Sequence, residues 1–141
     1  MSSLQHVDTL TRAGRYGDAL HVFLTLFGDL TRDVALEVLH AHLLERTGHY
    51  EESRALCERT LSRALASKLQ KSILETTLGI IHNDCARPHL ALEHFQRACS
   101  LAEAVGDLSQ VCWSKLRLML AVADSAGPDA ALALLAQVKA G

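Results

Sequence analysis

The chain has 141 residues, with 14 Lys and Arg against 16 Asp and Glu and a formal net charge of −2 at pH 7. This length fits one domain with its own core, and the mixed charges give no electrostatic footprint for nucleic acid or anionic lipid. Leu and Ala dominate, with only 2 Pro and 3 Phe, and residues that favour strands never cluster. The composition therefore predicts an all-α protein.

The apolar segments and the cysteines indicate the cellular compartment in which the protein is expected. The N-terminal stretch Met1–His6 lacks the basic and apolar regions of a secretory signal. The longest wholly apolar run, Leu118–Ala123, is far shorter than the ~20 residues of a membrane helix. Four cysteines without tight pairing are typical of small packing residues in a reduced protein, and they are Cys57, Cys85, Cys99 and Cys112. We expect a soluble, cytoplasmic protein.

The spacing of apolar residues predicts eight helices. Two of them begin at local capping signals, because Ser67 and Asp107 are each followed three residues later by a Gln, the pattern of a capping box. The predicted helices are Leu4–Ala13, Asp18–Phe27, Arg32–Arg46, Glu51–Ala66, Lys68–Asp84, Pro88–Val105, Leu108–Ser125 and Pro128–Lys139.

The chain repeats itself. The segment Arg12–Leu20 recurs as Arg46–Arg54 after 34 residues, and Pro88–Leu92 recurs as Pro128–Leu132 after 40 residues. Repeats of this length are typical of stacked helical hairpins, in which a Gly ends the first helix or a Pro opens the second. The sequence therefore predicts a single domain of four units, at about residues 1–30, 31–67, 68–106 and 107–141.

Two of the predicted second helices carry a stripe of small and apolar residues on one face. Such stripes are buried by stacking on neighbouring helices. The stripe residues are Ser53, Cys57, Thr60, Leu61 and Ala64 in the fourth helix, and Ala91, Phe95, Ala98, Cys99 and Ala102 in the sixth.

The turns and stripes together follow a recurring pattern of a small residue and an aromatic at the turn, then Ala, an aromatic and Ala. The matching residues are Gly14, Tyr16, Ala19 and Phe23 in the first unit, Gly48 and Tyr50 in the second, Gly79, Ala91, Phe95 and Ala98 in the third, and Ala131 and Leu135 in the fourth. In these residues the chain resembles tetratricopeptide-repeat proteins of the subgroup with longer helices.

The resemblance implies a right-handed α-solenoid of about four antiparallel helix pairs. The first helix of each pair would line a concave groove that binds a peptide or a partner helix. Aligned on the turn, the predicted groove residues are Arg12, Val38, His42, Arg46, Ile73, Ile80, Asp84, Trp113, Leu116 and Leu120. Trp113 is open to two interpretations, and packing between the third and fourth units is favoured over an anchor on the groove.

The sequence has few candidate metal-binding or catalytic residues. His82, Cys85 and His89 loosely mimic the spacing of zinc ligands, but no second pair of ligands follows at a matching spacing. His82 also falls where these repeats place a packing aromatic. The sequence has no nucleophile elbow, phosphate-binding glycine loop or zinc-protease motif. We therefore predict no metal, no cofactor and no enzymatic activity.

The last predicted helix carries two adjacent apolar stripes, although terminal repeats of a solenoid need a polar outer face. One neighbouring helix cannot bury both stripes. We therefore predict that this helix packs against another copy of the chain or continues into further repeats. The predicted self-association residues are Leu132, Leu134, Leu135 and Val138.

These patterns predict a non-catalytic scaffold that binds a protein or peptide partner, without nucleic acid or membrane. An alternative is a structural module that assembles as a homodimer or a head-to-tail stack. A metal-dependent sensor is the least favoured alternative, since it rests on the histidines alone.

Overall fold

The computed structural model describes residues 3–28, 33–63 and 65–140, and these residues form eight α-helices without a strand. The all-α class predicted from composition is confirmed. The helices are α1 (Ser3–Arg12), α2 (Tyr16–Phe27), α3 (Val34–Arg46), α4 (Tyr50–Leu61), α5 (Lys68–Asp84), α6 (Pro88–Val105), α7 (Leu108–Ala126) and α8 (Pro128–Ala140).

The predicted bounds of α5 and α6 are confirmed residue for residue. The prediction for α4 is wrong at its C-terminus, because the helix ends at Leu61 and not at Ala66. There the hydroxyl of Ser62 donates to the carbonyl of Arg59 at 2.7 Å, a local bond that competes with continued helix. The Ser67 capping box of α5 is confirmed, with both of its reciprocal bonds present.

The chain divides into two compact units, residues 1–66 and residues 67–141. In the first unit, α1 packs against α2, α2 against α3, and α3 against α4. In the second unit, each helix from α5 to α8 packs against the next, and α5 also packs against α7. Helices that follow each other in the chain are therefore neighbours in space within each unit.

Three of the turns between paired helices share one geometry. The second residue after the helix adopts a left-handed backbone, with φ of 75° at Gly14, 83° at Gly48 and 59° at Ala86. In each case the following N–H donates to the carbonyl five residues earlier, at 2.8 to 2.9 Å. This is the Schellman arrangement that closes a helix C-terminus. The predicted 34-residue repeat of Gly14 and Gly48 is thus a repeat of backbone structure, and a third turn, at Ala86, has the same geometry with Ala in place of Gly.

The predicted stripe on α4 forms part of the core of the first unit. Ser53, Cys57 and Thr60 are fully buried, and the Ser53 hydroxyl donates to the carbonyl of Ala41 in α3 at 2.7 Å. Ala64 lies outside the described residues. Burial of these small side chains confirms that the stripe faces neighbouring helices.

A buried carboxylate also ties α3 to the end of α4. Glu37 accepts a hydrogen bond from the Thr60 hydroxyl at 2.7 Å and pairs with the Arg63 guanidinium at 2.7 Å. A buried charge is tolerated when it is paired and hydrogen-bonded in this way.

The second unit is built around Phe95 of α6. The ring packs in a cluster with Ile80, Ala91, Cys99, Leu118 and Ala121, so the α6 stripe predicted from sequence is buried as expected. Gly79 of α5 faces the same ring: a Cβ on this residue would lie 2.6 Å from Cδ1 and 2.8 Å from Cζ of Phe95. Only a residue without a side chain permits this approach of α5 to α6.

Of the two reciprocal hydrogen bonds in the second predicted capping box, the structure confirms one. The Asp107 side chain accepts from the backbone N–H of Gln110 at 2.9 Å, as predicted. The Gln110 amide instead points inward and donates to the hydroxyls of Ser72 and Thr76 at 3.1 and 3.2 Å. Its side chain therefore joins α7 to α5 instead of serving the cap.

We predict that Ala86→Gly raises the free energy of unfolding by about 1 kcal/mol, because Ala is disfavoured in the left-handed region. Gly48→Ala is the matched control and should lower it by a similar amount. No atom lies within 4 Å of a Cβ built on Gly48, so only the backbone conformation is tested. Chemical denaturation followed by circular dichroism measures both. Equal stability of all three proteins would show that these turns are not left-handed.

We also predict that Gly79→Ala lowers the free energy of unfolding by about 1 to 3 kcal/mol, the usual cost of overpacking a core. Adding Phe95→Leu should cost less in this variant than in the wild type, since the smaller side chain relieves the overlap. A double-mutant cycle by denaturation measures this coupling. Strictly additive effects would contradict the close approach of the two helices.

Candidate protein-interaction surface

Two of the predicted groove residues of the first unit, His42 and Arg46, lie against Tyr16 at the start of α2. The Arg46 guanidinium lies over the Tyr16 ring, 4.9 Å from its centroid, and the His42 ring meets Tyr16 edge-on at 5.9 Å. Burial, and then the nearby Arg46 charge, lower the pKa of His42 below its ordinary value. His42 is therefore neutral at physiological pH, and Arg46 is held against an aromatic face.

The rest of this predicted surface is partly accessible. Arg12 is exposed and pairs with Asp8 of α1 at 3.1 Å, an exposed pair that contributes little stability. Val38 is half-buried on α3. A shallow surface cleft of about 350 Å³ lies between α1 and α3, lined by Leu4, Gln5, Asp8 and Leu39. The first helices of the two pairs in this unit therefore share one open face.

The clearest accessible feature of the second unit is a row of apolar side chains on α7, which we call the α7 stripe. It consists of Trp113, Leu116 and Leu120, which are 41%, 43% and 50% exposed. Their spacing of three and four residues places them on one face of the helix. Ser114, Leu118 and Ala121 of the same helix are buried, so the α7 stripe faces away from the core.

The exposure of Trp113 corrects one interpretation made from sequence. Packing between the third and fourth predicted units was favoured for this residue, and that interpretation is wrong, because Trp113 is 41% exposed and is not among the buried residues of α7. The Arg117 guanidinium lies 4.6 Å from the ring centroid, which covers one side of the indole with a cation. The α7 stripe therefore combines an aromatic and two aliphatic side chains, with the positive charge of Arg117 beside them.

The alignment on the turn predicts that Ile80 is accessible in the groove, and this prediction is wrong. Ile80 is 7% exposed and packs in the cluster around Phe95. The cause is that α5 packs against both α6 and α7, which buries every residue from Leu74 to His82. The remaining predicted residues of α5 lie outside that stretch: Ile73 is half-buried, and Asp84 is exposed.

The predicted self-association residues on α8 separate into two groups. Leu134 is partly buried against the Phe95 cluster, so it serves the core of its own unit. Leu132 is 62% exposed. The side chains of Leu135 and Val138 lie outside the described residues. One apolar side of α8 therefore packs inward, while Leu132 marks an accessible side.

His82 and two of the cysteines take packing positions. The buried His82 ring stacks on His94, with centroids 5.1 Å apart and planes 1° apart, as its predicted role as a packing aromatic requires. Cys57 and Cys99 are buried, as expected of packing residues, whereas Cys112 is exposed, contrary to that expectation. Within the described part of the chain, no three His, Cys, Asp or Glu side chains are placed to hold a metal ion.

Comparisons with known proteins do not assign a family. Neither the protein-family models nor the curated proteins include a match to this chain. Among the described helices, none has the length and apolar character needed to cross a membrane.

We predict that Leu116→Asp changes the free energy of unfolding by only about 1 kcal/mol or less, since this side chain is 43% exposed and lies outside the buried cluster around Phe95. Leu118→Asp, two residues away on the buried face, should cost more than about 4 kcal/mol, because it removes core packing and buries a charge. Denaturation midpoints of the two variants check the orientation of α7. Similar losses in both would show that the α7 stripe is not exposed.

Proposed function

We propose that this protein is a non-catalytic protein–protein interaction module that binds an apolar helix or peptide of a partner on the α7 stripe. The observation that carries the proposal is the exposure of Trp113, Leu116 and Leu120 on one helical face. Trp is enriched among binding hot spots, and apolar anchors at this spacing match the way a groove receives an amphipathic helix.

We further propose that the helix pairs are tetratricopeptide-type repeats stacked as a right-handed α-solenoid. Three turns with a left-handed residue at the same position and the same hydrogen bond support this. So does the pairing of first helices: α1 and α3 share a cleft, and Gln110 joins α7 to α5. A solenoid would align these first helices as one concave wall. The four cysteines are free, which fits a cytoplasmic protein.

The size of the α7 stripe constrains the partner. Covering three half-exposed side chains contributes roughly 3 kcal/mol on the scale of apolar burial. A micromolar complex requires about 8 kcal/mol. The partner must therefore reach additional residues of the second unit, of which the half-buried Ile73 on α5 is a candidate.

A selection of helical peptides displayed on phage tests this proposal. We expect the selected peptides to shift the fluorescence of Trp113, the one Trp in the chain, and to lose at least tenfold in affinity for Leu116→Asp, the cost of one anchor. Leu132→Asp is the matched control, an exposed Leu on α8. Full binding by a folded Leu116→Asp protein would contradict the proposal.

The second candidate function is self-assembly through α8, and the 62% exposure of Leu132 favours it. The same two variants separate the candidates. If Leu132→Asp converts a dimer or larger species to a monomer in light scattering, while Leu116→Asp leaves it assembled, α8 is the interface. A monomeric wild type at all micromolar concentrations would remove this candidate.

A further inference from the structure

One arginine beside the α7 stripe has no carboxylate partner in the described part of the chain. The Arg117 guanidinium lies over the Trp113 ring, 4.6 Å from its centroid, and Arg117 is partly buried. Its Nε atom is buried and makes no hydrogen bond to a described residue. The two Nη atoms are not among the buried nitrogens, so they are the donors that a partner can reach.

Two other partly buried cations show how this chain otherwise accommodates such a charge. Lys115, also on α7, is 28% exposed and pairs with Glu103 at 3.1 Å. Arg63 is 28% exposed and pairs with Glu37 at 2.7 Å. A partly buried charge loses hydration, and a paired carboxylate offsets that loss. Arg117 has no such compensation among the described residues, and a carboxylate from a partner would provide it.

Arg117 lies at the border between the α7 stripe and the buried face of α7. Successive residues of an α-helix are about 100° apart, which places Arg117 about 40° from Trp113 around the helix, on the side of the buried Ser114. Leu116 and Leu120 lie on the other side of Trp113. A helix that covers the stripe therefore brings residues next to its apolar anchors within reach of the Arg117 guanidinium.

We propose that the ligand of the α7 stripe is an amphipathic partner helix that carries an Asp or Glu beside its apolar anchors, and that Arg117 binds this carboxylate. The inference rests on the proposed function and specifies the chemistry of its ligand. A guanidinium offers parallel N–H donors that match the two oxygens of a carboxylate. Apolar side chains around the pair exclude water and strengthen the hydrogen bonds.

Asp124 limits where the partner helix carries its negative charge. Asp124 is exposed on α7, and it follows Arg117 by seven residues, which is two turns or about 10 Å along the same face. An acidic residue of the partner opposite Asp124 would be repelled. The ligand is therefore acidic beside Arg117 and neutral or basic beside Asp124, which distinguishes it from a uniformly acidic peptide.

Parallel selections from one library of helical peptides, against the intact wild type and against Arg117→Glu, test the inference. We expect wild-type peptides to carry Asp or Glu at a fixed position within one turn of their apolar anchors, and Arg117→Glu peptides to carry Lys or Arg there. Against Asp124→Lys, peptides with acidic residues at both ends should also be recovered. Arg59→Glu is the control, since it makes the same charge change at an exposed arginine of α4 and should select the wild-type peptides.

A double-mutant cycle with one of the wild-type peptides measures the contact itself. Replacing the acidic residue of the peptide by its amide should weaken binding to the wild type at least about tenfold, the value of one charged hydrogen bond. The same replacement should weaken binding to Arg117→Met by less than about twofold, because the guanidinium is gone. Arg117→Met keeps an unbranched side chain beside Trp113, and its circular dichroism should match that of the wild type.

The outcomes separate this inference from the proposed function. Peptides that lose affinity for Leu116→Asp but bind Arg117→Met as tightly as the wild type would overturn the inference and leave the proposed function standing. Peptides insensitive to Leu116→Asp, or an empty selection, would remove both. A wild type that dimerises in light scattering, and becomes monomeric as Arg117→Glu, would identify a second copy of the chain as the source of the carboxylate and overturn the assignment to a partner.

Discussion

The approach of α5 to α6 at Gly79 determines much of the second unit. Because Gly79 has no side chain, the Phe95 ring lies directly against the backbone of α5. Ile80, Leu118 and Ala121 then pack around the same ring. The face of α7 that carries Leu118 must point inward, and the α7 stripe is consequently turned to solvent. The candidate interaction surface thus depends on a residue that is not part of it.

Buried hydrogen bonds fix the register between neighbouring helices, which small side chains alone would leave undetermined. Ser53, Cys57 and Thr60 of the α4 stripe, and every residue of the α6 stripe except Phe95, are small and leave few shape constraints against sliding. In each unit a buried Ser hydroxyl donates to a helix carbonyl across the hairpin, Ser53 to Ala41 and Ser72 to Ala98. Gln110 adds bonds to Ser72 and Thr76. Buried bonds of this kind are costly to break, so we infer that they select one alignment of the helices.

The features that the sequence predicted correctly are local ones. Left-handed turns, helix bounds and stripes depend on residues a few positions apart, and the repeat at Gly14 and Gly48 made them visible. Ile80 and Trp113 could not be placed in this way, because their burial depends on which face of α5 is covered by α7. Gln110 shows the same limit. Its spacing from Asp107 satisfied a capping pattern, but two buried hydroxyls on another helix bound its amide instead.

The pattern of helix contacts also has a consequence for how the chain folds. Within each unit, nearly all helix packing joins neighbours in the chain, and the contact of α5 with α7 skips only one helix. Short loops between contacting segments carry a small entropy of closure, and a low contact order is associated with fast folding. Each hairpin can therefore form soon after its second helix is synthesised, while α5 must wait for α7 before its last apolar face is covered.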